Sequence, residues 1–158
     1  MASQLPPAQP QGFVKQLTLL FVAIASGLVI FCGVAFYINQ TQPIGSEELN
    51  GIFSVAAPAG SLLLAAVGYF ALPAFLSRAP QTPYLQSKLG FYRTATIVRL
   101  AFWDAGGFIC LVSYLLTGNN MYLAYLFPIV ALFVLFSPNR DRVIQDLSLT
   151  SEEAKELS

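Results

Sequence analysis

TATIVRLAFWDAGGFICLVSYLLTG, residues Thr94–Gly118, is apolar and long enough to cross a bilayer, yet it carries Arg99 and places Asp104 near its middle. About 20 residues suffice for a helix to span the hydrocarbon. Within this stretch the predicted span is Ala95–Thr117, and three more apolar segments of similar length lie near Gln16–Ile38, Ile52–Leu76 and Asn120–Ser137. None alternates apolar with polar residues, so a membrane barrel is a poor fit, and such runs satisfy their backbone groups internally only as helices. The expected fold is all-α: a polytopic membrane protein of four transmembrane helices.

Composition supports this. Of 158 residues, 56% are hydrophobic and 10% charged, against roughly 25% charged in ordinary soluble domains. Eight basic and eight acidic residues cancel, which argues against nucleic acid as a partner. The sequence has no His, and so lacks the commonest general base and zinc ligand. Cys32 and Cys110 stand alone inside apolar runs, without the spacing of a metal or redox motif, and read as packing residues. Neither an enzyme nor a cofactor is expected.

Three regions follow. Residues 1–15, opening MASQLPPAQPQG, are rich in Pro and Gln and predict a disordered tail. Residues 16–137 hold the four spans, and residues 138–158 predict a short helical tail. Lys15 followed by LTLLFVAIAS imitates an export signal, but the apolar run continues through Ile38, which predicts a retained span.

Lys and Arg placement orients the bundle, because short cytoplasmic loops hold the positive excess. The first and third connections contain neither residue; the second holds Arg78, Lys88 and Arg93, and the tail holds Arg140 and Arg142. Both termini are therefore expected on the cytoplasmic face of the plasma (inner) membrane. Ser46 is positioned to cap the second helix, and Pro80 and Pro83 to break the chain after it. YLQSKLGFYR predicts a surface turn of helix. In the tail, Ser137 with Pro138 predicts one helix start, and Thr150 with Glu153 has the spacing of a capping box. The tail's short apolar face predicts a solvated cap.

Small residues give membrane helices their close contacts. Ala57, Ser61 and Ala65, with Gly60 and Gly68, make such a face on the second helix; Ala23 with Gly27 offers one on the first, and Ala101, Ala105, Gly106 and Gly107 offer one on the third.

Asp104 is the leading candidate for a functional group, because an intramembrane carboxyl is costly, about 2.5–3.5 kcal/mol at a helix centre. Counting inward from the helix ends places Ser26, Ser61 and Pro128 at similar depth. Pro128 has no N–H to give the Ala124 carbonyl, so Ser26, Ser61 and that oxygen are the expected partners. Arg99 lies about 140° around the helix from Asp104 and is expected to bury its stem beside Trp103 while its guanidinium reaches headgroups or water. Asp104 therefore reads either as a buried packing carboxyl or as the titrating site of an ion- or proton-translocating subunit.

YRTATIVRLAFWDA, YLLTGNN and SPNRDRVIQDLSLTSEE resemble a group of small four-helix bacterial inner-membrane proteins. The resemblance covers most of the chain from Tyr92 onward. It implies the architecture and no activity, and Asp104 stands where Glu is more usual. SVAAPAGSLLLAAVG and LAFWDAGGFICLV also bear a loose likeness to the proteolipid subunit of rotary ATPases. The second helix lacks that family's regular glycine ladder, and the following loop lacks its Arg-Gln-Pro. The expected role is structural or accessory, with the lipid bilayer and either a second copy of the chain or another membrane subunit as partners.

Overall fold

Helix α3, Leu85–Thr117, runs for 33 residues without a break and is the spine of the structure. The computed structural model describes residues 12–41, 45, 47–77 and 84–157. Ser46, Arg78, Pro80 and Pro83 lie outside the described residues, as do residues 1–11. Around α3 stand α1 (Phe13–Thr41), α2 (Glu47–Ser77) and α4 (Met121–Leu135), followed by two short helices, α5 (Arg140–Asp146) and α6 (Ser151–Glu156). No strand occurs among the described residues.

Three of these helices, α1, α2 and α3, are long and apolar enough to cross a membrane. Helix α4 has 15 residues, about 22 Å at 1.5 Å per residue, and an 85° bend separates it from α5. The apolar run predicted through Ser137 thus stops as a helix at Leu135. The surface turn predicted at YLQSKLGFYR is instead the first part of α3, since this stretch holds no proline and a single glycine, Gly90. Helix α1 starts at Phe13, three residues before the expected boundary. Leu19, Val29, Ile30, Ile52, Val55 and Phe127 point outward and exposed, as side chains solvated by lipid do.

The face of α2 predicted from small residues packs on α3. Ala57 and Ser61 are buried, a Cβ on Gly106 would approach the Ser61 carbonyl at 3.3 Å, and one on Gly68 would meet the Trp103 ring at 2.7 Å. Only hydrogen at position 68 lets the indole lie against the α2 backbone. There Trp103 Nε1 donates to the Ala65 carbonyl at 3.1 Å. Ala23, Gly27, Ala101 and Ala105 instead face outward, because α1 touches α3 along a narrow strip that includes Leu28 and Ala35. Cys110 is buried and Cys32 half-buried, both as free thiols beside the central apolar cluster.

At one end the chain turns from α3 to α4 through Gly118, whose φ of 68° is a left-handed conformation open to glycine at little cost. Asn50 ties this end together, accepting from Asn119 Nδ2 at 3.1 Å and from the Tyr122 hydroxyl at 3.0 Å.

At the opposite end, α5 and α6 fold back over the bundle. Val143 and Leu157 join Phe13, Leu17, Leu72, Leu89, Tyr92 and Ala95 in one buried cluster. The tail is therefore part of the core, where the sequence suggested a solvated cap. The predicted capping box forms, with Thr150 accepting from the Glu153 N–H and Glu153 accepting from the Thr150 N–H. Asn139, two residues after Ser137, is the N-cap of α5.

Lys88 Nζ donates to Glu153 Oε1 at 2.8 Å and pins α6 to α3. This hydrogen bond, helped by the Thr150 N–H, holds the Glu153 carboxyl below its ordinary range. A depressed folded-state value contributes stability at neutral pH that disappears as the carboxyl protonates. Glu153→Gln keeps the capping box but not the charge. The wild type is expected to melt above this variant at pH 7, with the difference starting to shrink as the pH falls below about 4.3 and vanishing once it has passed the depressed value of the folded protein. A pH-independent difference would show that the ion pair is not its source.

Candidate functional site

Asp104 and Arg99 leave α3 toward different neighbours, as their spacing predicts. Asp104 lies one turn before Gly107, where a Cβ would press on Leu28 of α1, and before Phe108, whose ring lies 5.0 Å from that of Phe31. It therefore sits at the α1 seam, half-buried. Its Oδ1 is shielded from solvent and has no hydrogen-bond partner among the described residues.

The expected partners do not reach it. The Ser26 hydroxyl is on the exposed face of α1 and donates to the Ala23 carbonyl at 2.9 Å. Ser61 is buried against α3 and donates to the Pro58 carbonyl at 3.1 Å. Both follow the local habit of serine in helices, bonding a carbonyl one turn back. Pro128 lies within α4 as predicted, but no hydrogen bond joins Asp104 to the Ala124 carbonyl. Similar depth did not bring these groups together.

Arg99 is the more heavily buried of the two charges, 3% exposed. Its guanidinium carbon lies 5.2 Å from the Trp103 ring and 5.5 Å from the Phe136 ring. The guanidinium is enclosed rather than extended to water, because α4 ends beside it and α5 turns across it. Arg142, from α5, lies over the same Phe136 ring at 4.9 Å and donates to the Leu135 carbonyl at 2.8 Å. Asp146, one turn further along α5, accepts from the Tyr92 hydroxyl at 3.0 Å.

These residues surround a cavity of about 200 Å³ lined by Tyr69, Leu72, Pro73, Arg99, Phe136, Arg142 and Asp146. Sequence reading identified Arg99 but treated Arg142 only as a topological charge and did not single out Asp146. A usable signal was present: Arg142 and Asp146 are four apart on a helix that begins shortly after the fourth apolar segment, close to the depth of Arg99. No cluster of potential metal ligands occurs among the described residues.

Comparison with protein-family models, curated proteins and solved structures finds no match to this chain.

Proposed function

We propose that this multi-pass membrane protein crosses the plasma (inner) membrane four times, with both termini cytoplasmic, and serves a non-enzymatic structural or accessory role in a membrane assembly. The observation that carries the assembly reading is the shielded, unpartnered Oδ1 of Asp104 at a half-exposed seam. A carboxyl at that depth needs a polar partner. Oδ1 is closed off within the chain, so a donor from a second copy or another subunit meets the carboxyl through its open side.

Four spans are supported by the path of α4. It starts in a cluster shared by Tyr114 and Tyr122 and returns along α3 until Phe136 lies 5.5 Å from Trp103. Phe13 and Leu157 share one cluster, which supports both termini on one side. In a background lacking Cys32 and Cys110, single cysteines at Gln86, Asn120 and Ser151 test this. An impermeant thiol reagent outside the cell is expected to label position 120 only. Labelling at both 120 and 151 would mean that α4 does not cross.

The assembly reading predicts that Asp104→Asn, which retains hydrogen bonding, keeps the complex seen in mild detergent. Asp104→Leu is expected to lose it, while the separated chain melts at the same temperature or higher because no internal hydrogen bond is broken. A packing carboxyl hydrogen-bonded within its own chain would give the opposite direction. A wild type that is monomeric and unaccompanied in native-lipid mass spectrometry would refute the reading. An Asn variant that assembles normally but is inactive would favour ion or proton translocation at Asp104.

A further inference from the structure

We infer that the cavity between α2, α3, α4 and α5 binds a phosphate group, with the guanidiniums of Arg99 and Arg142 as its ligands. The part assigned to Asp104 does not enter this inference.

Arg99 carries the argument. A guanidinium has five N–H donors and no acceptor, and burying such a charge is costly unless it is paired and hydrogen-bonded. Among the described residues Arg99 has no hydrogen bond or ion pair, and its Nε is buried without a partner. Its guanidinium lies over the faces of Trp103 and Phe136. Ring faces attract the cation but leave its in-plane donors free. Those donors belong to a side chain that lines the 200 Å³ cavity.

The cavity's other charges favour an anion. Arg142 supplies a second guanidinium; one Nη1 donor is used on the Leu135 carbonyl. The single carboxylate, Asp146, is held by the Tyr92 hydroxyl, and the ion pair among the described residues is Lys88–Glu153, elsewhere in the fold. Two cations against one anion leave the cavity net positive. Phosphate oxygens match guanidinium donors in charge and bidentate geometry. The place fits a headgroup as well as a soluble phosphate: α4 ends here, α5 turns aside by 85°, and the aromatic rings of Tyr69 and Phe136 pack 5.7 Å apart, as at a membrane–water boundary.

Trp103, the only tryptophan, stacks against Arg99 and supplies the probe. The full-length protein in phosphate-free maltoside micelles is titrated separately with phosphatidylglycerol, inorganic phosphate and diolein, while Trp103 emission is recorded. A saturable change with phosphatidylglycerol, absent with inorganic phosphate, assigns the site to a lipid headgroup. Saturation by inorganic phosphate assigns it to a soluble phosphate or its esters. In either case Arg142→Gln is expected to weaken binding at least tenfold, whereas Arg93→Gln, an exposed charge on the same helix as Arg99, leaves it unchanged. Ligand-dependent elevation of the wild-type melting temperature provides a second reading that needs no variant. The inference fails if neither phosphate source gives a saturable response, if diolein acts as well as phosphatidylglycerol, or if Arg93→Gln weakens binding as much as Arg142→Gln.

Discussion

Trp103→Ala is expected to cost about 3–5 kcal/mol of unfolding free energy, the range for removing a fully enclosed large aromatic side chain. The indole is 0% exposed and fills the space that Gly68 leaves open. It donates to α2 at Ala65 and packs on Phe133 and Phe136 of the α4 end. Alanine would leave a void where three helices meet and remove one of the two rings that face the Arg99 cation. Phe127→Ala is the control, because that ring is 75% exposed and trades one apolar environment for another in lipid. Reversible unfolding in mixed micelles, followed by circular dichroism, should separate the two variants by more than 2 kcal/mol. Equal losses would contradict the central role given to the indole.

Val143→Asp is expected to release the tail. Val143 is 0% exposed in the cluster that joins α5 to the ends of α1, α2 and α3. An unpaired carboxylate there costs several kcal/mol, more than the short α5 and α6 can sustain, so the segment should leave the bundle. Hydrogen exchange should then accelerate strongly in residues 140–157 while the stretch around Leu100–Tyr114 stays protected. The Trp103 response to phosphate should disappear as well, because Arg142 departs with α5. Val143→Ile should preserve both properties. Tail protection unchanged in the Asp variant would show that α5 is not held by this cluster.

Features written in one dimension were legible in the sequence. Hydropathy gave helical spans, small residues gave the α2 face against α3, and Thr150 with Glu153 gave a cap whose bonds are local. The azimuth of α1 was not legible. Depth counting placed Ser26 level with Asp104, but the contact strip through Leu28 turns Ser26 outward. The enclosure of Arg99 was equally hidden, since it depends on where α4 stops and how sharply the following chain bends. A basic residue near a span's end ordinarily reaches water along its own stem; here Phe136 and α5 stand in the way. The Arg99 cavity is thus made from three separate stretches of chain, around residues 69–73, at Arg99 and from Phe136 to Asp146, whose coming together no local pattern encodes.

The central position of α3 also bears on the order in which the protein can be built. Helices α1 and α2 are synthesised first, yet the principal packing of each is against α3 and not against the other. Their small-residue and aromatic contacts must therefore wait until Leu85–Thr117 has entered the bilayer. During that interval two hydrophobic hairpin arms share a membrane without a mutual interface, and the nascent chain remains open to insertion factors or to premature pairing. Closure comes in two later acts: α4 lays Phe133 and Phe136 against Trp103, then the tail fastens the ends. Quality control that inspects α5 and α6 would consequently be inspecting whether the ends of α1, α2 and α3 have already met.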